Sequence, residues 1–383
     1  MLLIKDSNMN DDAFVTKAQA RAMIEAAVAQ VKLEITELGN VPPPLKIFGL
    51  DGSREYAENV ANHIGISLTP HDEKLFPDGE NYAKSASGRD GNVRGANVFV
   101  IQSLYGDDKE TVSDKFMKLS IMCGSLRDAS ARNVIAVIPN LGWARQDRKV
   151  DSREPISTKY IAKMLQAVGV SRALFVDVHN LAAVQNAFDT PIDNLEAKKL
   201  FATHFAKKLI NSKKIAILSP DAGGMLRAHQ FRGALVKELK RIRNETVLDE
   251  IIEIAVYDKI RVKGVVKGGR IIGDIDGADV IAIDDMISTC STMSKGCSVI
   301  PNHGGKLVGI AATHGLFCGD ANKHVDAILK SNDCEIVLAD TVDPWRLSDE
   351  NKNRLTFVST AEMMAEAIMR IHHGTGSISE LLS

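Results

Sequence analysis

Short apolar runs alternate along the chain with stretches in which apolar residues recur every three or four positions. Such runs are typical of strands that are buried on both faces, as in parallel sheets, and the periodic stretches predict helices. The predicted strands are LKIFGL, starting at residue 45, NVFVIQS, RNVIAVIPN, RALFVDVHN, KIAILSP, ADVIAIDDM, LVGIAATHG and EIVLAD. The pattern therefore predicts an α/β fold with parallel sheets, whose functional groups lie at the carboxyl ends of the strands.

The predicted elements repeat coarsely, which indicates two tandem doubly wound domains. The strand VFVIQS with its loop and helix parallels VIAIDDMISTCS in the second half, and TPIDNLEA at residues 190–197 lies between the halves. We therefore assign an N-terminal domain to residues 45–190 and a C-terminal domain to residues 191–358. A helix with a proline linker is assigned to residues 1–44, and a C-terminal helix and tail to residues 359–383.

The segment before the first predicted strand has a helical pattern of its own. Residues 11–38 are rich in alanine, lack Pro and Gly, and carry apolar residues at helical spacing. Gly39 ends this predicted amphipathic helix, and the three prolines at 42–44 form a stiff linker. The pattern leaves open whether the helix packs on its own domain or on a partner subunit.

The composition narrows the class of protein. A chain of 383 residues exceeds one ordinary core, which agrees with two domains. The net charge of −2 gives no reason to expect nucleic acid or a membrane surface as a partner, and no apolar stretch approaches the length of a membrane span. The five cysteines are scattered without CxxC spacing, as in reduced intracellular proteins. We therefore expect a cytoplasmic globular protein.

The most distinctive local feature is ADVIAIDDMISTCST at residues 278–292, where a predicted strand runs into two aspartates and a turn of small hydroxyl residues. Backbone N–H groups at such a turn before a helix form an anion site, and the hydroxyl groups add donors. The aspartates can accept hydrogen bonds from sugar hydroxyls or hold a metal. An ordinary capped strand end uses the same residue types, so the spacing alone leaves both interpretations open.

The same loop resembles the 5-phosphoribosyl-diphosphate (PRPP) loop of type I phosphoribosyltransferases and PRPP synthetases. The other motifs decide between these families: FPDGE, NVRG, GWARQDRK, VDVHN, SPDAGG, YDKIR, IIGDIDG and THGLF all resemble PRPP synthetase motifs, in family order. The resemblance covers roughly residues 45–383. It implies a ribose-phosphate diphosphokinase with two phosphoribosyltransferase-like domains, an N-terminal one on the ATP side and a C-terminal one on the ribose 5-phosphate side.

The implied reaction transfers the β,γ-diphosphoryl group of ATP to the C1 hydroxyl of ribose 5-phosphate and releases AMP. Phosphoryl chemistry of this kind depends on positioning, charge neutralisation and Mg²⁺ more than on a covalent nucleophile. The resemblance implies that His179 and Asp221 hold Mg²⁺ together with phosphates and water, although a lone histidine is more often structural. It also implies a homo-oligomer built from dimers, often a hexamer, with sites near subunit boundaries.

The resemblance assigns further roles to residues that would be ordinary without it. Pro-Asp-Gly alone predicts a turn, and Lys-x-Arg alone predicts the tip of a solvated hairpin. The implied catalytic residues are Lys259 and Arg261, on a loop that closes over ATP. The implied ATP-binding residues are Phe76, Asp78, Glu80, Arg145, Gln146, Asp147 and His179, and those for ribose 5-phosphate are Asp221, Asp284, Asp285, Ser288, Thr289, Cys290, Ser291 and Thr292.

Two residues of the acidic loop depart from the family pattern. Ser288 stands where the family usually has Asp, and Ser291 stands where it usually has Gly. If the position of Ser291 requires a positive φ, a non-glycine residue costs about 1 kcal/mol or more there. Two alternatives to an active synthetase therefore stay open. One is a catalytically weak regulatory paralogue, and the other is a phosphoribosyltransferase that consumes PRPP. The RQD and FPDGE motifs and the Lys-x-Arg pair argue against the phosphoribosyltransferase.

Overall fold

The computed structural model of the chain describes residues 21–30, 42–243, 249–262, 265–331 and 333–382, without the side chains of residues 249, 259–268 and 331. It divides into two compact units, Met1–Pro43 and Pro44–Ser383. In the first unit residues 21–30 form a helix, α1, whose residues are all exposed. The rest of the helix predicted over residues 11–38 lies outside the described residues.

The first half of the larger unit contains a five-stranded parallel sheet with the order β1-β4-β5-β6-β7. Its strands are β1 (Leu45–Gly49), β4 (Asn97–Ile101), β5 (Asn133–Ile138), β6 (Arg172–Val176) and β7 (Ile192–Leu195). An antiparallel hairpin of β2 (His71–Leu75) and β3 (Asn81–Ser85) forms a separate small sheet. The helices of this half are α2 (Arg54–Ile64), α3 (Val112–Asp128), α4 (Ser157–Ala167) and α5 (Leu181–Ala187).

The second half contains a seven-stranded sheet with the order β10-β9-β8-β11-β12-β13-β14, in which β10 is antiparallel to β9 and the other neighbours are parallel. Its strands are β8 (Ile215–Ser219), β9 (Ile252–Val262), β10 (Val265–Ile272), β11 (Asp279–Ile287), β12 (Lys306–Gly315), β13 (Glu335–Ala339) and β14 (Leu355–Val358). Its helices are α6 (Lys198–Lys208), α7 (Met225–Arg243), α8 (Ser291–Ser298), α9 (Ala321–Ser331), α10 (Asp349–Lys352) and α11 (Ala361–His373).

The predicted fold class and the eight predicted strands are confirmed. Each apolar run forms a parallel strand, because a strand covered by helices on both faces needs apolar side chains on both. The short segment that we placed between the halves forms β7, which pairs with β6 and thus extends the first sheet beyond residue 190. The division into domains at residues 190 and 191 stays a prediction.

The C-terminal helix α11 packs on the first sheet, although the chain reaches it only after the second. Met364 and Ile368 of α11 are fully buried in one apolar cluster with Ile47 of β1 and Phe99 of β4. Burying such side chains stabilises the fold by about 1.5–3 kcal/mol each. The two halves are therefore joined by a shared core as well as by the chain.

Direct hydrogen bonds also join the loops at the carboxyl ends of the two sheets. Ser103, after β4, donates through Oγ to the carbonyl oxygen of Thr341, after β13, at 2.5 Å. Trp345 donates through Nε1 to the carbonyl oxygen of Gly106 at 2.9 Å. Each bond joins one half to the other, the first with its donor in the first half and the second with its donor in the second half, so the two bonds fix the halves against each other. None of the helices in the described part of the chain has the length and apolar character needed to cross a membrane.

Candidate functional site

A cavity of about 1150 Å³ lies between the two halves, at the carboxyl ends of their strands. Its walls include residues 177–182 after β6, residues 221–224 after β8, and residues 283–293 in and after β11. Residues 256–258 of β9 form another part of the wall. The cavity therefore lies where ligands bind in α/β sheets, as the strand pattern predicted.

The acidic loop lies at the centre of this cavity. β11 continues past both aspartates to Ile287, so the strand is longer than its apolar run. The hydroxyl-rich turn follows, and α8 begins at Ser291. Residues 288–292 all line the cavity, and the hydroxyl groups of Thr289 and Ser291 lie 3.0 Å apart. The first backbone N–H groups of α8 and two side-chain hydroxyls thus face one small volume, which is suited to an anion.

The residue of the loop with a positive φ is Cys290 and not Ser291. Cys290 caps α8 with φ 61° and ψ −1°, in the left-handed region. Ser291 is the first residue of the helix and is absent from the positive-φ residues among those described. A non-glycine residue in the left-handed region costs about 1–2 kcal/mol. The positive φ of this turn therefore lies at Cys290, one residue before the position that the family resemblance had suggested.

One arginine and one histidine hold the aspartate pair. Arg227 Nη1 lies 3.2 Å from Asp284 Oδ1 and 3.3 Å from Asp285 Oδ1. His179 Nδ1, from the first half of the chain, lies 2.8 Å from Asp285 Oδ2. Two adjacent carboxylates repel each other, and the side chain of Asp285 is buried, so the charge of Arg227 and the hydrogen bond from His179 stabilise the pair.

The two aspartates differ in protonation for physical reasons. Burial raises the pKa of Asp284 far above its usual range, and the charge of Asp285 adds to this effect. Burial acts in the same direction on Asp285, but the hydrogen bond from His179 and the charge of Arg227 hold the pKa of Asp285 well below its usual range. The hydrogen bond to Asp285 in turn raises the pKa of His179. The cavity thus carries one firmly ionised carboxylate beside one that binds a proton easily.

The raised pKa of Asp284 predicts a pH-dependent cost to stability. The unfolded chain releases this proton near pH 3.8, whereas the folded protein keeps it until the raised pKa is reached. Stability therefore falls as pH rises through that window, because the unfolded state binds fewer protons. We expect Asp284→Asn to raise the melting temperature of the ligand-free protein at pH 8, and to change it little at pH 4. Differential scanning fluorimetry across this range measures the effect.

The exposed Asp108 supplies the matched control. The melting temperature of Asp108→Asn should change with pH in the same way as that of the unmodified protein. Equal melting temperatures of Asp284→Asn and the unmodified protein at pH 8 would show that Asp284 is ionised there without cost.

The SPDAGG motif forms the turn opposite the acidic loop. Asp221 caps a short 3-10 turn, and its Oδ1 accepts a hydrogen bond from Gly223 N at 3.1 Å. A Cβ on Gly224 would lie 2.6 Å from Ser219 Oγ, so only glycine fits the close approach of this turn to β8. Arg227 follows in the first turn of α7. Sequence reasoning missed Arg227, although an arginine three residues after a glycine pair at a strand end was a usable signal.

The structure brings together most of the predicted site residues, and leaves others apart. Those that line the cavity are Arg145, Asp147, His179, Asp221, Asp284, Asp285, Ser288, Thr289, Cys290, Ser291 and Thr292. The side chain of Gln146 lies outside the lining and is hydrogen-bonded to Ser157. Lys259 and Arg261 lie in β9, directly after the cavity wall, and their side chains are outside the described residues. Whether these residues act in the reaction stays a prediction.

Phe76, Asp78 and Glu80 lie in the turn of the β2–β3 hairpin, away from the cavity lining. Phe76 is 36% exposed and contacts Tyr82 edge-on, with the ring centroids 5.9 Å apart. Lys74 Nζ lies 4.5 Å from the centre of the Phe76 ring. The hairpin thus places a partly exposed aromatic ring at the protein surface, outside the lining of the cavity.

Metal-ligand groups occur in two different settings. Within the described part of the chain, one group of three side chains is close enough to hold a metal directly, namely Asp51, His71 and Glu73. Glu73 is already paired with Lys118, whose Nζ lies 3.3 Å from Oε2, which disfavours a cation there. In the cavity, His179 and Asp221 instead offer few protein ligands beside open volume. That donor set fits Mg²⁺, which keeps water and takes phosphate oxygens as ligands.

Comparison with known proteins covers both halves of the chain. Residues 45–169 match the N-terminal domain of ribose phosphate pyrophosphokinase, and residues 246–383 match the phosphoribosyl synthetase-associated domain. The ribose-phosphate pyrophosphokinase of Hyphomonas neptunium is 35% identical over 328 residues, which is 85% of this chain and 96% of that one. Ribose-phosphate pyrophosphokinase 2 of Enterococcus faecalis is 35% identical over 332 residues, with 86% and 94% covered. The crystal structure of phosphoribosylpyrophosphate synthetase from Mycobacterium smegmatis superposes with a TM-score of 0.74 at 26% identity, over 87% of this chain and 100% of that one.

Proposed function

Since the chain belongs to the ribose-phosphate pyrophosphokinase family, a family of transferases in nucleotide biosynthesis, we propose that the two sides of its cavity divide that reaction between them. The side formed by the first half takes ATP, and the side formed by β11 and α8 takes ribose 5-phosphate. The β,γ-diphosphoryl group then passes from ATP to the C1 hydroxyl between them. The observation that carries this proposal is the hydrogen bond of His179 to Asp285, which brings the two sides together.

The ribose 5-phosphate side is built from residues 284–292. The turn and the start of α8 bind the 5-phosphate through backbone N–H groups and the hydroxyls of Ser288, Thr289 and Thr292. Asp284 and Asp285 accept hydrogen bonds from the ribose hydroxyls. Their protonation difference suits this role, since one carboxylate always accepts and the other also donates when protonated.

The ATP side is basic where the phosphates would lie. Arg145 and Arg148 follow β5 and line the cavity, and Asp147 is fixed by a hydrogen bond from Asn180 Nδ2 at 2.5 Å. Arg145 binds phosphate oxygens by charge-assisted hydrogen bonds. His179 and Asp221 would hold Mg²⁺, which would supply positive charge to neutralise negative charge that builds up during the transfer.

Lys259 and Arg261 are the proposed catalytic residues. Tyr257 and Asp258 line the cavity, and the chain leaves its wall along β9 towards this pair. A Lys and an Arg at this position stabilise the charge on the group in transfer, which is where most of the rate enhancement in phosphoryl chemistry arises. No covalent enzyme intermediate is needed.

The position of the FPDGE motif supports a site that is shared between two subunits. Phe76, Asp78 and Glu80 lie outside the cavity of their own chain, and among the described residues of the first half no aromatic side chain lines that cavity. We propose a homo-oligomer based on dimers, in which the hairpin of one subunit stacks Phe76 on the adenine bound by its neighbour. We also propose a cytoplasmic location, which the five unpaired thiols support.

A direct assay tests the proposed function. The pure protein is incubated with Mg²⁺-ATP and ribose 5-phosphate, with and without inorganic phosphate, and AMP and PRPP are followed. We expect stoichiometric formation of both products. Absence of turnover under both conditions would reject the active synthetase and favour a regulatory paralogue.

The substitution Ser288→Asp tests the loop that departs from the family pattern. We expect kcat within about threefold of the unmodified enzyme and an equal or lower KM for ribose 5-phosphate, because the backbone N–H groups of the turn remain and a carboxylate adds one acceptor for a sugar hydroxyl. Steady-state kinetics with varied ribose 5-phosphate measure both constants.

Ser298→Asp, on the exposed end of α8, is the control for an added charge near the loop. It should leave both constants unchanged. A loss of two orders of magnitude or so in Ser288→Asp alone would mean that the loop is built for a different ligand.

A further inference from the structure

Asp177 adopts a left-handed backbone conformation. It directly follows β6, two residues before His179, and has φ 44°. Positive φ is uncommon for a residue other than glycine and persists where the surrounding structure imposes it. Such residues cluster where function requires an exact placement.

Three hydrogen bonds hold Asp177 in this conformation. Its backbone N donates to the carbonyl oxygen of Leu195 at 2.8 Å. Its Oδ2 accepts from the backbone N of Ala197 at 3.0 Å and from Thr313 Oγ1 at 2.6 Å. Leu195 ends β7 and Ala197 follows it, whereas Thr313 belongs to β12 of the second sheet. One carboxylate oxygen therefore links the two halves of the chain.

The register of the second sheet shows what this link fixes. β12 pairs with β11 so that Thr313 lies beside Asp285. The next residue, His314, is buried and donates through Nε2 to the carbonyl oxygen of Val176 at 3.0 Å. Two successive residues of β12 therefore hold two successive residues of the first half, next to the strand that carries Asp285.

We propose that Asp177 is a positioning residue, which acts through Thr313 to set the distance between His179 and Asp285. This inference rests on the proposed function, in which His179 holds the phosphates of ATP and Asp285 holds the ribose. The link Asp177–Thr313 and the contact His179–Asp285 run side by side between the same two segments. Loosening the link lets the two substrates separate, and misplacement by 1 Å can cost about 10²-fold in rate.

Thr313 offers a matched pair of variants. Thr313→Val removes the hydroxyl at similar volume, and Thr313→Ser keeps it. We expect Thr313→Val to lower kcat about 10–100-fold, and its KM for ribose 5-phosphate to stay within about threefold, since the hydrogen bonds of the link join residues 313, 177 and 197 and not the turn at residues 288–292. Thr313→Ser should retain activity within about threefold. Thr313→Ala serves in place of the valine variant if that one does not fold, as judged by its melting curve.

Variants of Asp177 distinguish a role in positioning from a role in metal binding. In Asp177→Asn one amide oxygen can still accept from both Thr313 and Ala197, so we expect kcat within about fivefold and an unchanged Mg²⁺ requirement. Asp177→Ala removes the acceptor and should lose activity to the same degree as Thr313→Val. The double variant Asp177→Ala/Thr313→Val should be no worse than the poorer single variant, because both remove one interaction.

Three outcomes would overturn the proposal. Thr313→Val with unchanged kcat would show that the link is dispensable. Multiplicative losses in the double variant would show that the two residues act independently. A large loss in Asp177→Asn that excess Mg²⁺ restores would make Asp177 a metal ligand. Each of these requires an active unmodified enzyme, whereas absence of turnover in that enzyme rejects the proposed function instead.

Discussion

Lys259→Ala should fold normally and lose about 10³-fold or more of kcat in the synthetase reaction. Lys259 lies in β9 just beyond the part of that strand that lines the cavity. A cation there acts on charge that develops only during transfer of the diphosphoryl group, so its loss should affect kcat more than the KM for either substrate. Rapid-quench and steady-state measurements of AMP release, with a melting curve for the variant, test this expectation.

Lys207→Ala is the control, because Lys207 is an exposed lysine on α6 away from the cavity lining. It should behave as the unmodified enzyme. Arg261→Ala should show a loss similar to that of Lys259→Ala, since the two residues are proposed to act on the same group. A kcat within tenfold or so of normal in Lys259→Ala would remove this lysine from the mechanism.

Mixing two inactive variants should restore activity if subunits share their sites. Phe76→Ala spoils the adenine contact that one subunit gives to its neighbour, and Lys259→Ala spoils the catalytic group within a subunit's own cavity. In a mixed dimer, one of the two sites receives an intact Phe76 from one chain and an intact Lys259 from the other. With random association, an equal mixture should recover about a quarter of the normal activity, because half of the dimers are mixed and each has one good site.

The subunits must exchange for this test, so the variants are co-expressed with different tags or are mixed after mild dissociation. The pair Asp285→Asn and Lys259→Ala is the control, since both residues belong to the cavity of one chain and cannot complement each other across subunits. Recovery in the control pair, or none with Phe76→Ala, would contradict a site shared through the hairpin. Analytical ultracentrifugation of the unmodified protein gives its oligomeric state independently.

The apolar pattern predicted the strands of both sheets well, and failed where a strand is not covered on both faces. β5 and β12 are apolar runs because helices cover them. β9 and β10 carry lysines, arginines and glycines, and the pairing of the two as a hairpin depends on backbone hydrogen bonds that leave no apolar signature. For that segment the sequence left two interpretations open, a solvated hairpin and a loop that closes over ATP, and the structure forms a hairpin of two strands there.

The sequence motifs predicted many of the residues that line the cavity, but they did not predict the contacts among those residues. Short motifs named residues that line the cavity, such as Asp284 and His179. Arg227 and Thr313 act on those residues from other strands and helices, and their roles depend on distances that only the folded chain defines. The positive φ of Cys290 could not be predicted either. It arises from the turn that joins β11 to α8 and not from the type of residue.

The packing of α11 on the first sheet has a consequence for synthesis of the protein. Domains generally begin to fold as they leave the ribosome, N-terminal first. The face of the first sheet around Ile47 and Phe99 is complete in sequence once β7 ends at Leu195, but its cover, α11, is translated only from Ala361 onward. The nascent first half therefore exposes an apolar surface throughout translation of the second. Nascent chains of this protein should be clients of ribosome-associated chaperones until α11 emerges and seals that face.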